Sequence, residues 1–362
     1  MSTITNAQAY LVDLEVETVR TDAVQAFVKQ ETIFVEVTTA DGYTGTGYAF
    51  TIGTGGTSVL ALLRDHLLPR LPGQDAARVE AVWHDLFAST RATTVGAITS
   101  LALAAVDTAL WDLRCLAAGQ PLWIVAGGAK PRVPLYDTEG GWLHLPTEEL
   151  IAGAKAAQSA GWLGVKLKVG KPDAREDAER VGAVRAAVGD GLEIMVDANQ
   201  SLTAAEARRR AAMLEPHDVA WFEEPLPADD VSGHAEVARS TTLPVAVGES
   251  LYSIGQFAEY LRRGAAGIVQ PDAARIGGIT PWLKVAHLAE AMNVAVCPHF
   301  LMELHVSLAA AVPNGRYVER IPQLRAITQG ELEIVDGHAV APSAPGLGIH
   351  WNRDAIDDRR VA

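Results

Sequence analysis

An α/β barrel carrying a smaller α+β module is the fold this sequence predicts, and three observations predict it. From Arg132 onward, eight short apolar strand patterns alternate with amphipathic helical ones, leaving seven helices between them, which is the count of a closed β/α barrel. Before Arg132 the order is strands first and helices after, an α+β pattern. An ionisable residue also stands at the C-terminal end of seven successive barrel strands, the face on which barrel enzymes carry their chemistry.

In the N-terminal module, Ile4–Glu17 and Gln30–Ala40 alternate like strands. Asp41-Gly42 is a hairpin signal and Tyr43–Phe50 the returning strand. Helical patterns follow over Thr57–Leu71, Asp75–Thr90 and Ala97–Ala118, the last stopped by Gly119 and Pro121. Thr18–Lys29 reads as a mobile connection. Gly53-Thr-Gly-Gly56 lacks the Lys-Ser/Thr ending and the βαβ setting of a phosphate loop. The expected barrel strands are Val133–Asp137, Gly164–Lys168, Leu192–Asp197, Val219–Glu223, Val245–Glu249, Gly267–Gln270, Val294–Pro298 and Tyr317–Glu319. A doubly wound open sheet is the alternative; it has fewer units and a glycine-rich first turn, which does not follow Val133–Asp137. After Glu319 the rhythm stops. Glu331–Ala341 reads as a hairpin turning at Asp336-Gly337, expected to pack back on the N-terminal module. The division expected is 1–130 for the α+β cap, 131–325 for the barrel and 326–362 for a segment returning to the cap.

The chain has 362 residues, 49% hydrophobic and 20% charged, as in a soluble globular protein. A formal net charge of -14 with no basic tract argues against nucleic acid or an anionic membrane as partner. An anionic substrate must therefore be drawn in by local cations. Two cysteines, Cys115 and Cys297, make no disulfide framework and fit a reducing cytoplasm. The start lacks a signal-peptide pattern. Ala97–Ala118 carries Asp107, Asp112 and Arg114, so it is expected to be a core helix and not a membrane span.

The expected strand ends carry Lys168, Asp197, Glu223, Glu249, Asp272, His299 and Glu319, 20 to 29 residues apart, about one βα unit each. On a strand, Lys166 and Lys168 point to one face, and two such ammonium groups need acceptors or anions. Asp197, Glu223 and Glu249 converge on one side of the mouth. Three carboxylates at close range do not all stay ionised without a cation, and an all-oxygen set with no zinc-type Cys or His spacing selects Mg²⁺. Glu224, next along the strand, is expected to point outward as a surface or salt-bridge residue; Asn199 is a candidate donor lining the site. Lys168 is one candidate base, its pKa expected to fall beside Lys166 and a metal ion. His299 is the other, with Asp272 on the neighbouring strand to accept one ring N–H. Cys297 shares the face of His299 but is read as packing. Glu319, if protonated, would donate a hydrogen bond to a developing oxyanion. These parts suit removal of the proton on a carbon next to a carboxylate through an enediolate.

With these motifs the chain resembles the mandelate racemase subgroup of the enolase superfamily over nearly its whole length. The matching stretches are Lys166-x-Lys168, Asp197 in Val-Asp-Ala-Asn-Gln, Glu223 in Trp-Phe-Glu-Glu-Pro, Glu249 in Gly-Glu-Ser, Asp272 in Pro-Asp-Ala-Ala-Arg-Ile-Gly-Gly-Ile-Thr, His299 in Pro-His and Glu319 in Glu-Arg. The resemblance implies a modified (β/α)7β TIM barrel capped by the N-terminal region and the C-terminal tail. It implies Mg²⁺ on Asp197, Glu223 and Glu249, opposed acid/base groups in Lys168 and the His299–Asp272 dyad, Lys166 on the substrate carboxylate and Glu319 as electrophilic donor. It also implies an even-numbered homo-oligomer, often an octamer.

Most relatives with this set dehydrate sugar acids, so a Mg²⁺-dependent dehydratase is the leading expectation. A racemase, epimerase or cycloisomerase uses the same groups, and a catalytically silent relative is the alternative from a different class. Specificity in such proteins comes from the capping loop, here about Thr18–Lys29, and from the first barrel loop, Tyr136–Trp142. Glu139 there accepts from substrate hydroxyls, pairs with Lys166 or faces a cationic amine, which keeps a hydroxyproline-like substrate open. Trp142 walls the pocket or covers the rim.

Overall fold

The computed structural model describes residues 2–362. Strands β1 (Ile4–Glu15), β2 (Lys29–Thr39) and β3 (Thr44–Thr51) form an antiparallel sheet in that order. Helix Ala97–Ala118 lies across it. The contact is close because β3 has glycine where the helix crosses: a Cβ on Gly45 would come within 2.3 Å of the Ala109 carbonyl oxygen, and one on Gly47 within 2.1 Å of that of Ala105. The helix expected over Thr57–Leu71 is regular only over Gly56–Leu62, then widens to a π turn at Leu63–Leu67 and tightens at Leu68–Arg70. Pro69 supplies the reason, since its ring excludes the carbonyl four residues back and it has no N–H to donate.

Eight parallel strands make the barrel: β4 (Arg132–Asp137), β5 (Gly164–Lys168), β6 (Glu193–Asp197), β7 (Val219–Glu223), β8 (Val245–Val247), β9 (Ile268–Val269), β10 (Ala295–Val296) and β11 (Val318–Arg320). Strand β11 pairs with β4, and Arg316 N–H donates to the Val296 carbonyl at 2.8 Å, so the ring closes. Seven helices connect the strands: Thr147–Ser159, Ala174–Val188, Ala204–Leu214, Val231–Ser240, Ile254–Arg262, Ile279–Ala291 and Met302–Ala311. No helix among the described residues is long and apolar enough to cross a membrane.

The C-terminal hairpin corrects one expectation. Strands β12 (Ile334–Val335) and β13 (His338–Val340) join the barrel and not the cap, with β13 antiparallel to Arg132–Pro134 of β4. Strand β11 pairs only with Leu135–Asp137, so the first half of β4 has a free edge that β13 fills. The chain reaches the cap only afterwards. Leu11 N–H donates to the Ala362 carbonyl at 2.9 Å, and Trp351 meets Phe34 edge-on at 4.9 Å.

Cap and barrel are joined by a buried carboxylate. Asp107 on the cap helix accepts from Thr280 N–H at 2.8 Å and Thr280 Oγ1 at 2.7 Å, while Trp111 Nε1 donates to the same hydroxyl at 2.9 Å. The approach requires Gly278, where a Cβ would stand 2.3 Å from Asp107 Oδ2 and φ is +121°. Burial pushes the Asp107 carboxyl up to about 7, against the Thr280 donors that favour its ionised form. An unfolded Asp titrates near the ordinary value of 3.8, so between about pH 4 and 7 the folded chain holds the extra proton and loses stability as pH rises. Asp107→Asn removes this component while keeping an acceptor for Thr280 N–H. Its urea midpoint should decline less than that of the parent between about pH 5 and pH 7; parallel declines would show that Asp107 is ionised throughout.

Candidate active site

The site is assembled by strand alternation. Tyr136, Met195, Trp221, Ala246, Ile268, Cys297 and Tyr317 pack together as one cluster, each on or beside a different barrel strand. Gly164 completes the layer, with no room for a Cβ beside Met195 and Tyr136. Two residues on, side chains return to the same face. Those positions are Thr138, Lys166, Asp197, Glu223, Gly248, Gln270, His299 and Glu319. A dry floor therefore carries a polar layer, with Lys168 and Asp272 one further step up. Cys297 belongs to the floor.

Asp197, Glu223 and Glu249 each offer an oxygen, all within 4.8 Å of one another. Two ammonium groups lie among the charges. Lys166 Nζ stands 2.9 Å from Glu223, 2.9 Å from Glu319 and 3.7 Å from Asp197; Lys168 Nζ stands 2.5 Å from Asp197. All of these side chains but Glu249 are more than nine-tenths buried. Burial pushes Glu223 up to about 7, with Asp197 adding to the rise. For Asp197 burial acts in the same sense, but Lys168 and Lys166 outweigh it and hold the group below the ordinary value. Trp221 Nε1 at 3.0 Å and Gln270 Nε2 at 2.8 Å fix the other Glu223 oxygen. The cluster, all oxygen and partly compensated by lysines, fits a hard divalent cation.

Two sequence expectations change here. Burial lowers the Lys168 ammonium and Lys166 lowers it further, as expected, but contact with Asp197 more than offsets them and, with no metal on that carboxylate, the pKa is raised. Glu319 is an acceptor and not a donor: it takes hydrogen bonds from Thr138 Oγ1 at 2.6 Å and Phe300 N–H at 2.9 Å, besides the Lys166 contact. Burial raises its carboxyl, yet Lys166 and then His299 pull it far below the ordinary value.

His299 and Asp272 meet as expected, with Nδ1 2.9 Å from Asp272 Oδ2. Nε2 lies 3.3 Å from Glu249. Burial lowers the imidazole pKa, but Glu249 and the Asp272 hydrogen bond raise it above its ordinary value. His299 follows β10 and Lys168 ends β5, three strand steps apart around the ring, and both line the same small cavity. Phe300 and Leu301 have φ of 61° and 23°, a strained turn that aims the Phe300 N–H at Glu319.

Asn199 lines the cavity; its N–H donates to Asp197 Oδ1 at 2.9 Å and its side-chain oxygen has no partner. Trp142 is a wall and not a rim cover: it is 2% exposed, with Lys168 Nζ 5.5 Å from its ring centroid. Gly141 permits this, since a Cβ there would overlap the Lys166 carbonyl at 1.8 Å, and its own carbonyl accepts from Lys168 N–H at 2.7 Å. Glu139 does not pair with Lys166, the expected partner on this chain. Arg20 of the capping loop binds it at 2.7 Å. Glu224 is also corrected: it is 2% exposed and accepts from Gln200 Nε2 at 3.0 Å. Strand β7 ends at Glu223 and Glu224 has φ of 38°, so strand alternation no longer applies to it. Arg20, Thr138, Gln270 and Arg275 escaped the sequence reading. Thr138 and Gln270 carried a usable signal, because each lies two residues past a floor position. Arg275, whose Nη1 donates to the Glu249 carbonyl at 3.1 Å, carried none.

A family model described as mandelate racemase / muconate lactonizing enzyme, N-terminal domain, matches residues 7–127. A second, described as enolase C-terminal domain-like, matches residues 149–355. The chain is 37% identical over 325 residues to a 3,6-anhydro-alpha-L-galactonate cycloisomerase of Streptomyces coelicolor, covering 90% of each chain. Among solved structures, a racemase from Streptomyces coelicolor with bound magnesium superposes with a TM-score of 0.95 at 35% identity, covering 99% of this chain and 100% of the other. An L-talarate dehydratase from a Polaromonas species, complexed with Mg and L-glucarate, superposes with a TM-score of 0.93 at 36% identity, covering 100% and 98%.

If the three carboxylates hold one ion, each neutral isostere weakens it. Calorimetric titration of Asp197→Asn or Glu249→Gln with Mg²⁺ should show at least a roughly tenfold loss of affinity, about 1.4 kcal/mol, with the urea midpoint in chelator little changed for Glu249→Gln and lowered for Asp197→Asn, which leaves Lys168 without its partner. Unaltered affinity in both variants would place the ion elsewhere.

Proposed function

The chain belongs to the mandelate racemase / muconate lactonizing enzyme family of the enolase superfamily, and from that premise we propose that it dehydrates a sugar acid to a 2-keto-3-deoxy acid. It is a Mg²⁺-dependent enzyme, and the reaction starts with removal of the proton α to the carboxylate. One observation carries the reading: Lys168 and an Asp272-bound His299 face one cavity beside three carboxylates suited to a divalent ion.

Asp197, Glu223 and Glu249 would hold the ion, which when bound stabilises the second negative charge of the enediolate. Lys168 Nζ takes the α-proton. Its raised pKa comes from Asp197; once that carboxylate is shared with a cation, burial and Lys166 both favour the neutral amine. Lys166, held between Glu223 and Glu319, stands where a substrate carboxylate oxygen gains its charge. His299 then gives its Nε2 proton to the departing β-hydroxyl, which leaves as water. Asp272 keeps the ring oriented through Nδ1. The resulting enol tautomerises to the 2-keto acid. Thr138 and the Phe300 N–H fix Glu319, and Glu319 fixes Lys166.

The same groups serve isomerisation, and the cycloisomerase relative favours that second reading. In it, Lys168 removes the α-proton and His299 returns one to carbon, or the enediolate expels a β ring oxygen, whose C–O bond breaks as His299 protonates it and no water is lost. Two buried, unpaired thiols, Cys115 and Cys297, support a cytoplasmic setting.

Proton NMR in deuterium oxide over a sugar-acid library separates the readings. Dehydration gives α-proton loss together with one deuterium at C3 and a 2-keto product one water lighter than its substrate; racemisation or epimerisation gives exchange without keto acid, and ring opening gives a keto acid isomeric with its substrate. Lys168→Ala should lower turnover at least about a thousandfold, roughly 4 kcal/mol. Unchanged turnover in that variant would remove Lys168 from the chemistry.

A further inference from the structure

We infer that this enzyme's substrate has a single carboxylate, and that its other end is a neutral hydroxylated tail received by a cavity behind the Arg20–Glu139 pair. This rests on the function proposed above and adds the charge class of the substrate. The cavity at Lys168 and His299 holds only about 20 Å³, too little for a five- or six-carbon acid. A cavity of about 280 Å³ lies alongside, lined by Arg20, Glu139, Arg320, Gln323 and Arg325. Thr138 and Trp142 line the inner space, while Arg20 and Glu139, the latter next to Thr138 in the chain, line the outer one.

The arginines of the outer cavity already have partners, those of Arg20 and Arg320 largely buried and that of Arg325 exposed. Arg20 binds Glu139 at 2.7 Å and the Pro322 carbonyl at 2.9 Å; Arg320 binds Asp137 at 3.0 Å; Arg325 binds Glu331 at 3.0 Å. Glu15 and Glu17, on the same lining, form no ion pair among the described residues. Asp22 adds a carboxylate at the inner edge. A second substrate carboxylate would meet acids on both sides and displace an existing pair to find a cation.

Two buried polar atoms on this lining lack a partner in good hydrogen-bond geometry: Glu139 Oε2, an acceptor that has only the Trp142 indole N–H near it, and Gln323 Nε2, a donor. Gln323 is 9% exposed and Arg20 7%, so neither is a solvated surface group. Buried polar groups require partners. A hydroxyl both donates and accepts and answers the two together. A carboxylate answers only Gln323 and repels Glu139; an ammonium answers only Glu139.

The test uses matched aldonates and aldarates of five and six carbons, which differ only in a terminal CH₂OH or carboxylate. Rates of α-proton exchange in deuterium oxide are measured with the Mg²⁺-loaded enzyme, and binding to Mg²⁺-loaded Lys168→Ala by calorimetry. For configurations that react, kcat/KM and affinity should favour the aldonate at least tenfold. Glu139→Gln frees Arg20 and should shift that ratio at least fivefold toward the aldarate. Gln323→Leu, which tests the site if Glu139→Gln does not fold, should raise KM for the aldonate with kcat little changed. A parent enzyme that prefers the aldarate, a ratio indifferent to Glu139→Gln, or an unchanged KM in Gln323→Leu overturns the inference and leaves the dehydration reading standing. Absence of both exchange and keto-acid product with every one of the acids overturns that reading, and this inference with it.

Discussion

Charge compensation in a buried space is the constraint on which the rest of this structure depends. Asp197, Glu223, Glu319 and Asp272 are almost wholly buried beside Lys166, Lys168 and His299. None of these charges is affordable alone in a medium that solvates poorly. Their pKa values are consequences of burial and of one another: Asp197 is held down by the two lysines, Lys168 is held up by Asp197, and Glu223, buried beside Asp197, rises. Such a set responds to a divalent cation as a unit, because a new positive charge loosens the lysine contacts as it forms its own.

The barrel makes that crowding possible. Its floor is a ring of large apolar side chains with Gly164 as the gap that lets Met195 and Tyr136 meet. The polar layer one pleat above has its directions fixed by strands that cannot rotate without breaking the ring. Fine adjustment falls to the turns just past the strands. Asn199, Gln200, Glu224, Phe300 and Leu301 all have positive φ although none is glycine. On the catalytic face this conformation points the N–H groups of Asn199 and Phe300 at Asp197 and Glu319. The cap contributes a lid tied down at Arg20 and a rigid joint at Asp107 and Thr280.

Much of this was legible beforehand because strand alternation and βα spacing are strictly periodic. Lys166, Lys168, Asp197, Glu223, Asp272, His299 and Glu319 could be placed on one rim without coordinates, and Glu249 followed from spacing although β8 stops at Val247. What stayed hidden has a common cause. The Arg20–Glu139 contact joins residues 119 apart in the chain, and no local pattern marks it. Glu224 escaped because the strand had already ended. Nothing near Glu319 in the chain marks it as an acceptor, because the cation that holds it ionised, Lys166, comes from a different strand. The hairpin at β12 and β13 carried a turn signal, but only the unequal lengths of β4 and β11 decide which sheet it joins.

Locating the ion tests the central claim most directly. A crystal of the protein soaked with Mn²⁺ should give one anomalous peak at about 2.1 Å from oxygens of Asp197, Glu223 and Glu249, with the Lys168 ammonium withdrawn from Asp197 toward the cavity. A peak outside these three carboxylates, or an ion bound there with the Lys168–Asp197 contact intact, would contradict the account.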